Sequence, residues 1–141
     1  MRGFDSVIAR ASGPGDLAFL YDSDGDDQLG TNGSLAVFTL NPTSGGRVIN
    51  RATLFDQIYS YASNGGTDVA NLMGTTEGDT FIADADWGIM KSRNTDDYFD
   101  YIRYFDEVYA DPGDGQLDND ELDDRGVSYL LDADPGNGNV W

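Results

Sequence analysis

The run Asp22-Ser23-Asp24-Gly25-Asp26-Asp27 alternates carboxylates around a glycine, a pattern that can curl oxygen donors about one point for a hard cation such as calcium. Asp22, Asp24, Asp26 and Asp27 are therefore the first candidate ligands. A second set lies in an acidic stretch, residues 111–124. With Gly115 taken as the sixth position of an EF-hand loop, Asp114, Asp118 and Glu121 fall at positions five, nine and twelve. Ala110 and Pro112 then stand at positions one and three, where oxygen donors are needed. Asp and Gly also build tight turns with no ion, because Asp bonds nearby backbone and Gly accepts positive φ. That plainer role is the favoured reading of Asp22–Asp27, since the corresponding run Gly74-Thr75-Thr76-Glu77-Gly78-Asp79 keeps only two acids. Calcium is the one cofactor to which these residues point.

Other chemistry is narrowed by what is missing. The chain has no Cys and no His, which excludes zinc sites built on those ligands, thiol nucleophiles and serine triads with a histidine base. Carboxylate pairs exist at every spacing among 23 Asp and 3 Glu, so no pair stands out as a general acid and base. The best enzymatic alternative is a calcium-dependent, lyase-like enzyme acting on polysaccharide. It would join Asp ligands to a base drawn from Arg47, Arg51, Lys91, Arg93 or Arg103, and its groove would connect the 111–124 stretch to Arg93 or Arg103.

The net charge of -18 argues against nucleic acid, whose phosphates need Lys and Arg, and against adsorption to an anionic membrane. No apolar run is long enough to span a bilayer, so membrane insertion is not expected. The lack of Cys leaves the redox compartment open.

The elements that must carry these residues emerge from self-similarity. Phe-Asp recurs at residues 4, 55 and 105, which divides the chain into one repeat region with units 4–54, 55–104 and 105–141, the last divergent and interrupted by 111–124. Aligned columns pair Val7 with Ile58 and Val108, Ala18 with Ala70 and Ser128, and Leu20 with Leu72 and Leu130. Leu29 aligns with Phe81, Leu35 with Trp87 and Val37 with Ile89, and these columns are expected in the core. Asn71 stands in the column of Phe19, so the Ala and Leu columns should face inward and that one outward, as in a strand. Short segments rich in Tyr, Val, Ile and Phe between Gly/Asp/Asn clusters support strands. Residues 96–109 have helical spacing at Phe99, Ile102, Phe105 and Tyr109, but their counterpart favours strand, loop and strand.

The series Phe4-Asp5, Asp16, Ala18, Leu20, Asp22-Ser23 and Gly25-Asp26-Asp27, echoed by Phe55-Asp56, Asp68, Ala70, Leu72 and Gly78-Asp79, resembles the acidic repeats of very large secreted bacterial surface proteins. Those repeats are distantly similar to calcium-binding RTX repeats, although the RTX nonapeptide is absent from this chain. The resemblance implies an extracellular or cell-surface location and a structural or adhesive role without catalysis. Its implied partners are neighbouring repeats, polysaccharide or other surface proteins. Starting and stopping inside a repeat suggests a piece of a longer protein. The expected fold is all-β, a repeat solenoid in the form of a right-handed parallel β-helix that stacks the columns in register, with a β-sandwich as the alternative.

Overall fold

The structure, a computed structural model, describes residues 5–76, 79–93 and 97–111. Eleven strands occur among them: β1 Ser6–Arg10, β2 Leu17–Tyr21, β3 Gln28–Asn32, β4 Leu35–Leu40, β5 Val48–Thr53, β6 Gln57–Tyr61, β7 Val69–Met73, β8 Asp79–Asp84, β9 Trp87–Ser92, β10 Phe99–Arg103 and β11 Glu107–Asp111. The expected all-β class holds, and residues 99–111 form strand, turn and strand instead of a helix. Strand β3 goes beyond the expectation from sequence, which places Leu29 in the core without assigning it a strand, whereas β5 and β6 are the strand, loop and strand expected of the counterpart of residues 96–109.

The strands form two mixed sheets. One has the order β1-β5-β4-β3-β7-β11 and the other β2-β6-β10-β9-β8. Neighbours β2, β6 and β10 run parallel, as do β3, β7 and β11, whereas β3-β4-β5 and β8-β9-β10 are antiparallel meanders. The meanders depart from a purely parallel coil.

Strands that carry the same sequence columns fall in opposite sheets. Leu20 on β2 pairs beside Ser60 in the five-stranded sheet, and Leu72 on β7 pairs beside Thr31 and Ala110 in the six-stranded sheet. These two leucines, expected in register on one inner face, thus approach one core from opposite sides, and Leu130 lies outside the described residues. The same exchange relates β1 to β6, β3 to β8, β4 to β9 and β5 to β10. Each unit is turned over relative to the one before it.

The pivots of this exchange are Leu54 and Tyr104, which follow β5 and β10 and hold φ of 64° and 67°. Left-handed backbone is unfavourable for residues with a Cβ. It is held here by bonds from Leu54 N–H to the Ser34 carbonyl at 2.8 Å and from Tyr104 N–H to the Asp86 carbonyl at 2.7 Å. Immediately after each pivot comes Phe-Asp. Phe55 and Phe105 pack on the core, while Asp56 accepts from Gly15 N–H and Asp106 accepts from Asp68 N–H at 2.8 Å. The recurring dipeptide therefore joins one unit's crossover to the turn in front of a neighbouring strand.

Alternation sets what lies between the sheets. Ala18, Leu29, Ala36, Phe38, Ala52, Ile58, Ala70, Leu72, Phe81, Met90, Ile102 and Val108 form one buried cluster. Phe19 and Asn71 face outward, as their shared column requires. The columns Leu35/Trp87 and Val37/Ile89 are not core: they are half-exposed on the outer faces, and Ala36/Gly88 and Phe38/Met90 are buried instead. Space explains the inversion at Gly88, where a Cβ would stand 3.2 Å from both Ile102 and Phe81 side chains. Val7 is half-exposed as well, because β1 is an edge strand.

The bulky residues turned out by this pattern meet on the outer face of the five-stranded sheet. Phe19 stacks on Tyr59 at 5.2 Å, Tyr21 on Tyr61 at 5.5 Å and Trp87 on Tyr101 at 6.4 Å, and Tyr59 also meets Phe99 and Tyr101. Such cross-strand aromatic pairs each add about 0.5–1.5 kcal/mol beyond the area they bury.

Candidate functional site

The acidic turn between β2 and β3 brings its four candidate ligands together in the chain but turns them toward four different sets of donors. Asp22 accepts from Asn64 N–H at 2.6 Å and from the Asn64 amide at 2.8 Å. Asp24 accepts from the Thr43 hydroxyl at 2.6 Å and Thr43 N–H at 2.9 Å, and these bonds hold its pKa below the usual carboxylate value. Asp26 accepts from Thr67 N–H at 2.8 Å. Asp27, fully buried, accepts from Ser23 N–H, from the Ser23 hydroxyl at 2.8 Å and from Asn41 N–H at 2.6 Å. The turn is thus a fastening between loops 41–43 and 64–67. Gly25 lets them approach, since a Cβ there would overlap the Asn41 carbonyl oxygen.

Among the described residues no three acidic side chains gather closely enough to hold a metal. Asp114, Asp118 and Glu121 lie outside the described residues. Of the basic candidates, Arg103 pairs with Asp86 at 3.0 Å and lies over the Tyr104 ring at 4.5 Å, so it braces the second pivot. Lys91 lines an open cleft of about 530 Å³ with Asp56, Gln57, Tyr59, Tyr98 and Phe99. Arg51 lies on β5 in the other sheet from Lys91 on β9 and Arg103 on β10, and the 111–124 stretch that the enzymatic alternative joins to Arg93 or Arg103 lies, beyond Asp111, outside the described residues.

Carboxylates also link the heads of three parallel strands. Asp27 N–H donates to Asp68 at 2.9 Å, and Asp68 N–H donates to Asp106 at 2.8 Å, across β3, β7 and β11. Asp68 is only 2 % exposed, and burial, reinforced by the charges of Asp27, Asp22 and Asp106 and opposed by the Asp27 N–H, pushes its pKa up to about 6.

The polar cluster that sequence reasoning missed lies inside. Thr31 on β3, Asp79 at the head of β8, Tyr98 just before β10 and Asp100 on β10 are all buried. Asp79 accepts from Thr75 N–H through Oδ2, but its Oδ1 has no partner, nor have Thr31 Oγ1, Tyr98 Oη or either Asp100 oxygen. Burial raises the Asp100 pKa to about 8, with the Asp79 charge adding to the rise and Thr31 opposing it. Burial also raises the Tyr98 pKa, helped by Asp79 and Asp100. One signal was available: Asp100 shares an inward column with Asn50, and Tyr98 shares one with Val48, so the second unit exchanges an amide and an aliphatic group for an acid and a phenol.

No family model matches this chain, and comparisons with curated proteins and with solved structures find no match.

Proposed function

We propose that this chain is a non-catalytic structural or adhesive module of a larger extracellular or cell-surface protein, and that it works by stacking edge to edge with further copies of its own unit in a solenoid. The observation that carries the reading is the end formed by β1 and β2. Both are terminal strands of their sheets, and they expose Val7, Ile8, Leu17, Phe19 and Tyr21 to between 48 % and 72 %. An apolar, unpaired sheet edge is a template for another strand. Within the chain, an edge of the same kind is covered by a strand of the next unit where β6 pairs with β2, while β1 pairs with β5 of its own unit. The acidic turn and the Phe-Asp dipeptides hold neighbouring units together, through Asp22 and Asp26 to residues 64–67, Asp56 to Gly15 and Asp106 to Asp68, which is the requirement on a module whose stability comes from contacts between units.

The test is an extended chain in which residues 5–104 are duplicated ahead of residue 5. Stacking predicts one cooperative urea transition with a higher midpoint and a steeper slope than the original chain, because the exposed end becomes an interior interface. Two independent transitions with the original midpoint would refute it. Calcium-dependent turnover of acidic polysaccharide, lost in Arg103→Ala, would favour the lyase-like alternative in its place.

A further inference from the structure

The cluster of Thr31, Asp79, Tyr98 and Asp100 has no explanation in packing. Their exposures are 4 %, 2 %, 4 % and 1 %, and five of their oxygen atoms lack any hydrogen-bond partner: Thr31 Oγ1, Asp79 Oδ1, Tyr98 Oη and Asp100 Oδ1 and Oδ2. Burying one uncompensated carboxylate costs several kcal/mol, and burying hydroxyls without partners adds to that. The previous unit shows that the fold does not need this. There Asn50 and Val48 take the places of Asp100 and Tyr98, and Asp27, in the place of Asp79, has both oxygens bonded.

Register brings the groups together. Asp79 and Asp100 flank β9 from its two sides, opposite Ser92 and Met90 respectively. The Tyr98 carbonyl accepts from Ser92 N–H, and the Tyr98 ring extends to Gly33 at the end of β3, the strand that carries Thr31. Thr31, on the opposite sheet, lies near Asp100, and the Tyr98 phenol lies near Asp79 within the field of Asp100, in neither case with the geometry of a hydrogen bond. Two carboxylates, one phenol and one hydroxyl thus face one another across the core. Two of the four are uncharged side chains more than nine-tenths buried, so the cluster is more than an accumulation of acid.

We propose that Asp79, Asp100, Thr31 and Tyr98 form a calcium site between the two sheets. Two carboxylates balance the charge of a divalent ion, and the five orphaned oxygens supply most of the six to eight that calcium takes. Magnesium fits less well, since it demands near-octahedral geometry and keeps several waters, which a core lined by Ile58, Met90 and Ile102 does not offer. The site differs from the turn at Asp22–Asp27, whose carboxylates are each bonded to backbone or side-chain donors, and it does not depend on the stacking role.

The test uses the full chain stripped with chelator and titrated with calcium, followed by calorimetry and by thermal melts. Calcium should raise the melting midpoint of the parent chain, and Asp100→Asn, which installs the residue of the previous unit, should weaken that response by at least about tenfold in calcium concentration, because affinity follows ligand charge. Asp24→Asn, in that turn, should respond like the parent. Should Asp100→Asn fail to fold, Tyr98→Phe keeps the ring and removes one ligand oxygen. It should bind calcium more weakly and lose tyrosine-sensitised emission from terbium used as a calcium substitute. An unchanged calcium response in Asp100→Asn or Tyr98→Phe would overturn the site by placing the ion elsewhere. No response in the parent chain would overturn it too, leaving the two carboxylates to share a proton.

Discussion

Asp27 and Asp79 occupy the same column in successive units, each accepting a bond from the backbone N–H four residues earlier, yet Asp27 has both oxygens bonded and Asp79 leaves Oδ1 bare inside the protein. The pair separates two uses of one residue. The first closes a turn, and the second contributes to an internal polar cluster.

Asp27→Ala is expected to destabilise the fold by about 2–4 kcal/mol, since the fully buried carboxylate is the shared acceptor for the Ser23 and Asn41 donors of a part-buried turn. Asp24→Ala should cost clearly less, because that carboxylate is exposed and bonds only Thr43. Urea denaturation of the two variants beside the parent checks the order. Equal losses would mean that the turn acts as a unit.

Gly25→Ala should lose at least about 2 kcal/mol, the scale of overpacking in a close contact. The added methyl meets the Asn41 carbonyl, a backbone atom that cannot rotate away. Gly13→Ala, where nothing lies within 4 Å, serves as the control and should be nearly neutral by thermal melting.

In the absence of calcium, stability should fall as pH rises from about 4 to 8. Asp68 and Asp100 have folded pKa values of about 6 and about 8, above the ordinary value of 3.8, so the folded chain holds protons that the unfolded chain has released. Their contribution is complete below the unfolded value. That of Asp68 is lost as pH rises through about 6, and that of Asp100 as it rises through about 8. Asp24 has the opposite sign: its lowered pKa stabilises above the ordinary value, and that contribution disappears in acid. Chemical denaturation at a series of pH values should show the decline, and Asp100→Asn should flatten the part above pH 6.

Leu54→Gly should gain up to about 1 kcal/mol, because glycine removes the left-handed penalty at φ 64° and Leu54 is 46 % exposed. Tyr104→Gly should not gain equally, since its ring carries Arg103. Differential scanning calorimetry of both variants distinguishes a strained pivot from one whose side chain is needed.

Much of the architecture was legible in alternation. Ala18/Leu20 and Ala70/Leu72 point inward and Phe19 and Asn71 outward, as the columns require. What alternation cannot carry is the identity of the sheet. Inward is the same pattern whether a strand sits above the core or below it, so Leu20 and Leu72 looked like neighbours in a stack although they lie on opposite sides. Apolar residues on both faces of β4 and β9 hide the second difference, because Leu35/Trp87 and Val37/Ile89 align between units as readily as Ala36/Gly88 and Phe38/Met90. The internal cluster was masked by composition: among 23 Asp, Asp100 has no distinguishing neighbour in the chain, and its meaning lies in its two-residue spacing from Ile102, the buried position of the same strand.

The turning-over of successive units gives an array a parity. Phe19 and Tyr21 stand on the outer face of one sheet, whereas the same columns in the next unit put Asn71 and Met73 on the outer face of the other. In a longer array, a feature borne by every unit would appear on alternate sides, and one side would show it once per two units. Inserting or deleting a single unit would therefore reverse every face beyond the change, while inserting or deleting a pair would preserve all of them, so length variation in such an array is neutral for its surfaces only in even steps.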